Sequence, residues 1–538
     1  MPTERLTVRG YHQQSSHRPD GYARGPEVLD WSGQPDPFRR FDGAPAIELP
    51  LLKEDTDSPD FNDLFKEEVI KSAPVNLNSV SHLLELSLGI SAWKSYGPDR
   101  WALRCNPSSG NLHPTEGYIV ASGIDGLGNG IYHYRADEHL LEQRARIGLN
   151  DHKPRLIIGL SSILWREGWK YGERAFRYCQ LDIGHAIAAF GYAAATQGWK
   201  VSLLEQSDDA VATLLGLDQE QSFENSEPEL PELLLEIAPL PEPWSIPETW
   251  CDLAAKAEWQ GVANRLDPHP YGSWPVLNAI AQASRKEGSA IKDHERRPHP
   301  EKTPEKLASD SNMPAIQLIK QRRSAQAFDP RPLMPQDDFF RILDATLYRP
   351  GLPPWHINTD EPHTHLLLFV HRVEGLRQGL YALPRSANGE KLMREEMRES
   401  FNWEAVESAP EHLPLYALVY ADCRRAAATL SCKQAIASDS AFALAMLGEF
   451  DQITAEPASY RQLFMEAGQI GQALYLEAEA SGFRGTGIGC YFDEPVHETL
   501  GIESSALKSV YHFTVGMPLI DDRIETLPPY DHLERMKT

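Results

Sequence analysis

One stretch of the chain is repeated 284 residues further on (Arg177 to Arg461), and this repeat constrains the fold more than any other feature of the sequence. Residues 177–199 read RYCQLDIGHAIAAFGYAAATQGW, and residues 461–483 read RQLFMEAGQIGQALYLEAEASGF. Both segments predict a buried, alanine-rich helix that ends at a glycine cap. An internal duplication of this kind predicts two halves that fold alike and pack as a pseudo-twofold dimer within one chain.

Two further matches support the duplication. Segments 113–120 (HPTEGYIV) and 130–134 (GIYHY) match segments 363–370 (HTHLLLFV) and 379–383 (GLYAL), and each pair predicts strands around a turn. Residues 233–241 similarly match residues 512–520, which predicts a terminal strand in each half. We therefore expect each half to be an α+β domain.

The charged, proline-containing segment 281–314 shows almost no apolar periodicity and predicts a linker. We expect an N-terminal arm plus first domain over residues 1–280, a linker over 281–313, and a second domain over 314–538. The arm has no counterpart in the second half, and we expect it to wrap the pseudo-dimer.

Composition narrows the possible partners. The net charge of −25, from 77 acidic and 52 basic residues, disfavours binding to nucleic acid or to anionic membranes. No secretory signal or membrane-spanning stretch is visible. The six cysteines form no CxxC pair, so neither a zinc site nor a redox dithiol is expected, and free thiols fit a reducing cytoplasm.

Segment 107–111, immediately before a predicted strand, offers hydroxyls, an amide and a compact backbone, which suit hydrogen bonds to the rim of a flat, polar heterocycle. The candidate ligands here are Pro107, Ser108, Ser109 and Asn111. By composition alone the same segment could be only a turn.

Three other segments are candidate cofactor contacts. Arg322, Arg323 and Ser324 follow a predicted helix and could grip a phosphate, because arginine binds phosphate oxygens bidentately. Arg523 follows the last predicted strand and could add a cation to that grip. Alternating glycines would let a backbone approach a flat ligand closely, and they occur in the run Gly485, Thr486, Gly487, Ile488 and Gly489.

Together these segments resemble the nitroreductase superfamily, and especially its SagB/ThcOx-type dehydrogenases, including the tandem members. The resemblance is carried by PSSGN before a strand, RRSxxxFDP (residues 322–330), WKYGERAFRY (169–178) leading into DIGH, and a closing GMP strand. It covers roughly residues 80–245 and 314–530. It implies an FMN cofactor held between two protomers, whose parts the two halves would play in this chain.

Comparison of the two repeats indicates that each half has lost candidate site residues that the other half keeps. The position matching Arg322 in the first half is Ser72, and the position matching Gly485–Gly489 is the glycine-free segment 201–205. Conversely, the positions matching Lys170 and Tyr171 are Thr454 and Ala455. We therefore expect one composite flavin site, with the second half holding the phosphate and the first half facing the substrate.

Lys170 and Tyr171 are the candidate catalytic residues, because a lysine–tyrosine pair is associated with catalysis in SagB-type azoline dehydrogenases. Either could accept a proton while a hydride passes to flavin N5. We expect an FMN-dependent oxidoreductase, monomeric or homodimeric, with NAD(P)H as a candidate electron donor and a small molecule or a peptide heterocycle as substrate. The alternatives are an azoline (thiazoline or oxazoline) dehydrogenase and a non-catalytic flavin-binding scaffold.

Overall fold

The computed structural model describes residues 6–53, 56–149, 151, 153–240, 244–267, 269, 274–288, 304–309, 312–358 and 361–536. The strands are β1 (Phe41–Asp42), β2 (Ala46–Glu48), β3 (Ile90–Tyr96), β4 (Asp99–Arg104), β5 (Thr115–Ser122), β6 (Gly130–Arg135), β7 (Leu140–Ala145), β8 (Arg155–Ser162), β9 (Lys200–Leu204), β10 (Leu230–Ala238), β11 (Val262–Ala263), β12 (Thr364–Val370), β13 (Gly379–Leu383), β14 (Glu404–Ala405), β15 (Tyr416–Tyr420), β16 (Phe442–Glu449), β17 (Arg484–Ile488), β18 (Leu507–Gly516) and β19 (Glu525–Leu527).

The α-helices are α1 (Val8–Gln14), α2 (Leu77–Ser87), α3 (Leu164–Tyr171), α4 (Ala175–Ala195), α5 (Asp208–Leu215), α6 (Glu220–Phe223), α7 (Glu248–Ala255), α8 (Pro275–Ala283), α9 (Ala315–Gln321), α10 (Gln336–Asp344), α11 (Ala387–Glu396), α12 (Arg424–Leu430), α13 (Ile436–Asp439), α14 (Phe450–Ile453), α15 (Tyr460–Ala480), α16 (Asp493–Leu500) and α17 (Asp531–Met536). Short 3₁₀ turns lie at Trp31–Gly33, Phe61–Phe65, Ser109–Asn111, Gly172–Arg174, Trp355–Ile357 and Pro457–Ser459. Within the described residues, no helix is both long enough and apolar enough to cross a bilayer.

Two seven-stranded sheets have closely matching strand orders. The first runs β2-β7-β6-β5-β8-β10-β9, and the second runs β14-β15-β13-β12-β16-β18-β17. All the strand pairs in both sheets are antiparallel. Apart from the edge strands β2 and β14, the two halves contribute their strands in the same chain order, so the predicted repeats occupy equivalent places in the two sheets.

Helices α4 and α15 are the two predicted repeat helices, and they pack against each other at the centre of the molecule. Gly184 of α4 faces the Met465 carbonyl, and Gly468 of α15 faces the Leu181 carbonyl. Since Leu181 and Met465 are themselves 284 residues apart, the two contacts are reciprocal. A Cβ on either glycine would overlap backbone of the other helix. Glycine at these two positions therefore sets how closely the helices approach.

A second reciprocal contact joins the halves through buried ion pairs. Arg177 of the first half bonds Asp493 of the second half at 2.6 Å, while Arg461 of the second half bonds Asp208 of the first half at 2.8 Å. All four side chains are almost completely buried. Separating such a pair would leave unpaired charges buried away from water. These contacts therefore fix the relative position of the halves.

Each half also borrows elements from the other half of the sequence. Helices α1 and α8 contribute Val8, Leu277 and Ile280 to the core around the second sheet. Helix α9 contributes Ala315 and Leu318 to the core around the first sheet. Strand β19 pairs with β3 in a separate three-stranded sheet. The domain boundaries stay a prediction, and about half of the predicted linker (residues 289–303, 310 and 311) lies outside the described residues.

Candidate functional site

A cavity of about 470 Å³ lies where the two halves meet. The first half supplies the loop before β5 and the ends of β3, β4 and α3, and the second half supplies the segment after α9, strand β17 and the chain after β18. The volume falls within the range of pockets that hold small molecules and cofactors, roughly 300–1,000 Å³. The cavity brings together most of the residues singled out in the sequence.

The PSSGN loop is held in place by its own polar groups. Its Gly110, Asn111 and the following His113 all have positive φ angles near 55–60°. The Asn111 amide donates to the Ala102 carbonyl at 2.9 Å, and the Ser108 hydroxyl accepts from the His113 backbone at 2.8 Å. Ser108 and Asn111 thus shape the loop, which lines the cavity together with Pro107 and Ser109.

Arg322 and Arg323 lie just beyond the C-terminus of α9 and line the cavity. The buried Arg322 guanidinium donates to the carbonyls of Arg104 and Cys105, but its Nη1 has no hydrogen-bond partner among the described residues. Arg323 is anchored on the backbone and hydroxyl of Ser91. A buried, unpartnered guanidinium nitrogen beside a cavity is suited to an anionic ligand group.

Two further cations, which the sequence analysis missed, stand next to this pair. Lys94 on β3 and Arg484 on β17 also line the cavity. Burial, followed by repulsion from Arg323 and Arg484, lowers the pKa of Lys94. Burial, followed by repulsion from Arg322, lowers the pKa of Arg323 to about 10. A bound anion such as phosphate would offset the repulsion among these cations at one end of the cavity.

The segment Gly485–Ile488 is an edge strand, β17, and not a loop. A Cβ on Gly485 would overlap Phe513, and a Cβ on Gly487 or Gly489 would overlap Tyr511 or Tyr178. These glycines therefore make room for aromatic rings of this chain. Thr486, Gly487, Ile488 and Gly489 line the cavity, whereas Gly485 is not among its lining residues.

A hydroxyl network connects this strand to the RRS segment. The Tyr475 hydroxyl on α15 lies 2.8 Å from the Ser324 hydroxyl and accepts the backbone N–H of Gly487 at 2.9 Å. The Arg322 guanidinium stands over the Tyr475 ring, 5.0 Å from its centre. Tyr475 thus fixes the arginine and the edge strand relative to each other. It was missed in the sequence, although its place on the repeat helix was predicted.

Lys170 and Tyr171 end helix α3 beside the PSSGN loop. A Cβ on Gly110 would overlap the Tyr171 hydroxyl and lie 3.0 Å from Lys170 Nζ, so both side chains abut this loop. Tyr171 lines the cavity, and Lys170 lies just behind the lining. Burial lowers the pKa of Lys170 and raises the pKa of Tyr171 well above its ordinary value. The lysine is thus biased towards its neutral, proton-accepting form.

Two buried carboxyl groups stand behind this pair. Asp182 on α4 accepts from the backbone N–H of Ser109 at 3.1 Å and from its hydroxyl at 3.0 Å. Burial raises the pKa of Asp182 to about 7. Neither carboxyl oxygen of the fully buried Glu167 has a hydrogen-bond partner within the described residues, and burial raises its pKa well above its ordinary value. Burial thus shifts both carboxyl groups towards the protonated form.

Asp182 should make the protein less stable as the pH rises. Its folded pKa, about 7, exceeds its ordinary value of 3.8, so between these values the folded chain holds a proton that the unfolded chain has released. Between pH 5 and pH 8, the wild type should lose up to about 3 kcal/mol of stability through this carboxyl group. We expect that loss to be absent in Asp182→Asn. The measurement is urea unfolding at several pH values.

The control for this prediction is Asp521→Asn. Hydrogen bonds from Arg523 lower the pKa of Asp521 to about 2, so this exposed carboxylate does not titrate in the same window. Its pH profile should match that of the wild type. Parallel profiles for Asp182→Asn and the wild type would contradict the assigned pKa.

The structure does not bring Arg523 into the cavity lining. Its guanidinium pairs with Asp521 at 2.7 Å, its side chain is 72% exposed, and it lies over the ring of Tyr96. Asp521 and Ile524, on either side of it, do line the cavity. The positive charge next to Arg322 and Arg323 comes instead from Lys94 and Arg484.

Comparisons with known proteins concern the family of one segment and the fold of the chain. Residues 319–517 match the model of the nitroreductase family. The second half carries a nitroreductase-family domain. A solved structure from Anabaena variabilis, provisionally described as a nitroreductase, superposes with a TM-score of 0.67 at 22% identity. It covers 95% of this chain and 99% of its own, so this likeness of fold extends over both sheets.

Part of the chain is also similar in sequence to a relative. A protein of Methanocaldococcus jannaschii, provisionally named a nitroreductase, is 26% identical over 149 residues, which cover 24% of this chain and 71% of the relative.

Proposed function

We propose that this protein is an FMN-dependent oxidoreductase with one composite flavin site between two nitroreductase-like halves. The observation that carries the proposal is the cavity itself. It is lined by the PSSGN loop of the first half and by the RRS segment and β17 of the second. A flavin needs cations for its phosphate and polar groups for its ring edge, and the lining of one cavity of about 470 Å³ offers both.

The two halves behave as the protomers of a pseudo-dimer. The contacts Gly184–Met465 and Gly468–Leu181 are reciprocal, as are the two cross-half ion pairs described above. Reciprocal contacts are characteristic of an isologous interface, in which the equivalent residues of the two protomers repeat each contact with the protomers exchanged. The matching sheet orders are consistent with a duplicated domain.

The asymmetry of the halves favours a single site. Strand β9 occupies in the first sheet the place that β17 has in the second, but its sequence, KVSLL, contains no glycine. Ser72, at the position that matches Arg322, donates its hydroxyl to the Gly198 carbonyl. A serine there offers no positive charge for a phosphate, so the equivalent site of the first half lacks the arginines that would bind it.

The residues of the cavity fit FMN. Arg322, Arg323, Lys94 and Arg484 would hold the phosphate, with Arg322 Nη1 free to donate. Ser109 and the backbone of its loop would face the ring edge. FMN bound there would supply two-electron chemistry by accepting or giving a hydride at N5. We propose Lys170, which lies against the loop, as the group that takes or gives the accompanying proton.

Azoline dehydrogenation of a modified peptide is the second candidate, and the placement of Lys170 and Tyr171 favours it. Both side chains abut the loop that would cover the ring, and Tyr171 also lines the cavity. SagB-type dehydrogenases are the members of the superfamily in which such a pair is associated with catalysis. The two candidates share the flavin and differ in what stacks on it.

The decisive experiment is to purify the chain and to identify and count its flavin. We expect one FMN per chain, released on denaturation and identified by chromatography. Two FMN per chain would contradict the composite site. A chain that neither carries FMN nor takes it up on reconstitution would contradict the function.

Lys170→Met and Tyr171→Phe should slow turnover while FMN content stays at the wild-type level. Loss of a positioned proton-transfer group typically costs about 10²–10⁴ in kcat. The assay measures flavin reduction by NAD(P)H with nitroarene reduction, and, separately, oxidation of azoline peptides. A merely structural lysine would lower stability without removing the corresponding limb of the pH–rate profile.

The matched controls are Lys391→Met and Tyr96→Phe. Both residues are exposed, with the Lys391 side chain 74% and Tyr96 45% accessible, and Lys391 lies outside the cavity lining. These variants should keep full activity. Wild-type kcat in both Lys170→Met and Tyr171→Phe would exclude the pair from catalysis.

A further inference from the structure

Two cysteines that are far apart in the sequence meet at the wall of the cavity. Cys490 follows β17 and lines the cavity, while Cys432 lies just after α12 in a turn where its φ is 53°. Their thiols are hydrogen-bonded to each other. Gln434 ties the two loops together, because its amide donates to the carbonyls of both Ser431 and Cys490. Because the two cysteines form no CxxC motif, the sequence alone does not reveal that they lie close together.

A histidine of the N-terminal arm completes the cluster. His17 is hydrogen-bonded to the Cys490 side chain. Its Nδ1 accepts the backbone N–H of Ala23 at 3.0 Å, so the proton of the neutral ring is carried by Nε2. This nitrogen is the one left to donate to Cys490. Tyr22 packs on His17, with ring centres 5.0 Å apart, and covers the pair from the arm side.

The charges around the pair distinguish the two sulfurs. Hydrogen bonds from Cys432 and His17, together with the Arg174 guanidinium, lower the pKa of Cys490 against the opposing effect of burial. Cys432 follows the C-terminal end of α12, whereas Cys490 precedes the N-terminal end of α16, where the helix dipole favours an anion. Asp493 at the start of α16 opposes this, but both Arg174 and Arg177 neutralise it.

We propose that Cys432 and Cys490 form a redox-active dithiol that reacts with low-molecular-weight disulfides, with Cys490 as the attacking thiolate. The Cys490 sulfur attacks one sulfur of the disulfide, forms a mixed disulfide and releases one thiolate. The Cys432 sulfur then attacks Cys490, closes the Cys432–Cys490 bond and releases the second thiolate, which takes up the Cys432 proton. Two electrons pass from the pair to the small disulfide, which leaves as two thiols.

Three features carry this inference. The two thiols lie within hydrogen-bonding reach of each other, and disulfide closure requires such proximity. A histidine of fixed tautomer donates to one of them, which separates the attacking thiol from the resolving thiol. The attacking thiol lines the wall of the cavity between the halves, whereas Cys432 does not line it.

The first test equilibrates the whole protein, with its flavin content unaltered, in mixtures of reduced and oxidised glutathione. After acid quenching, free thiols are alkylated and the peptides are analysed by mass spectrometry. We expect a Cys432–Cys490 disulfide that forms in one two-electron step. The half-buried Cys251 and Cys423 serve as internal controls and should remain thiols. A pair still fully alkylated in the most oxidising mixture would overturn the proposal.

Single substitutions separate the two roles. In Cys432→Ser the mixed disulfide cannot be resolved, so one glutathione should stay attached to Cys490. In Cys490→Ser the remaining Cys432 should stay a free thiol. Glutathione attached to Cys432 rather than Cys490 would reverse the assigned roles and contradict the proposal.

The role of His17 is read from a pH profile. Iodoacetamide should modify Cys490 at least tenfold faster than Cys423 at pH 6.5, where an ordinary thiol is almost wholly protonated. His17→Gln should move the alkylation profile of Cys490 to higher pH without changing the circular dichroism of the chain. An unshifted profile would remove His17 from the site, and equal rates at Cys490 and Cys423 would overturn the proposal.

Discussion

Replacing Arg322 and Arg323 together with alanine should leave the purified chain without bound flavin. Hydrogen bonds to charged groups contribute about 1.5–3 kcal/mol each, so the loss of two guanidiniums should weaken FMN binding by roughly 10²- to 10⁴-fold. The measurement is FMN content after purification, followed by titration of the apoprotein with FMN.

Riboflavin distinguishes a lost phosphate contact from a damaged fold. The wild type should bind FMN far more tightly than riboflavin, which lacks the phosphate, while the double variant should bind the two equally weakly. Arg322→Lys with Arg323→Lys should retain part of the preference, because the charge stays but the bidentate geometry is lost.

The matched control is Arg331→Ala with Arg424→Ala, two arginines whose side chains are 84% and 43% exposed. Unchanged FMN content in the Arg322/Arg323 double variant would refute the phosphate assignment. So would a preference for FMN over riboflavin that survives the substitution.

Gly184→Ala should destabilise the chain by at least about 1–3 kcal/mol, the usual cost of forcing extra atoms into a packed interior. The new Cβ would overlap the Met465 backbone, and a backbone carbonyl cannot move aside as a flexible side chain can. Gly468→Ala should have a similar effect, because its Cβ would overlap the Leu181 carbonyl. The measurement is the midpoint of urea unfolding.

Helix α4 supplies its own control. A Cβ at Gly191 would lie 3.4 Å from His356 Nδ1, which is close to ordinary van der Waals contact. Gly191→Ala should therefore be neutral or stabilise the chain by about 0.5–1 kcal/mol, because alanine favours helix over glycine. Wild-type unfolding midpoints for Gly184→Ala and Gly468→Ala would contradict the close helix crossing.

Periodicity and internal repetition made much of the fold predictable. The repeat helices and the matched strands are local patterns, and glycine at positions 184 and 468 was already visible in the aligned repeats. The residues around the PSSGN and RRS segments could be assigned because each segment is a short motif. Their convergence in one cavity followed from the expected pairing of the halves.

The rest of the site depends on contacts between segments remote in the sequence. Lys94 and Arg484 belong to no motif, and only the folded chain brings them next to Arg323. The pKa of Asp182 depends on burial that its sequence neighbours do not reveal. The strand at Arg484–Ile488 was not predicted, because glycines have low strand propensity, but the hydrogen bonds of the sheet outweigh that preference.

The borrowed elements of the two cores have a consequence for synthesis on the ribosome. The core around the first sheet contains Ala315, Leu318, Leu476 and Ala480, all of which emerge after the first half has been translated. Domains usually fold one after another from the N-terminus during synthesis. Part of the apolar surface of the first sheet therefore stays uncovered until helix α15 has left the ribosome, so the first core is completed only after most of the second half has been made.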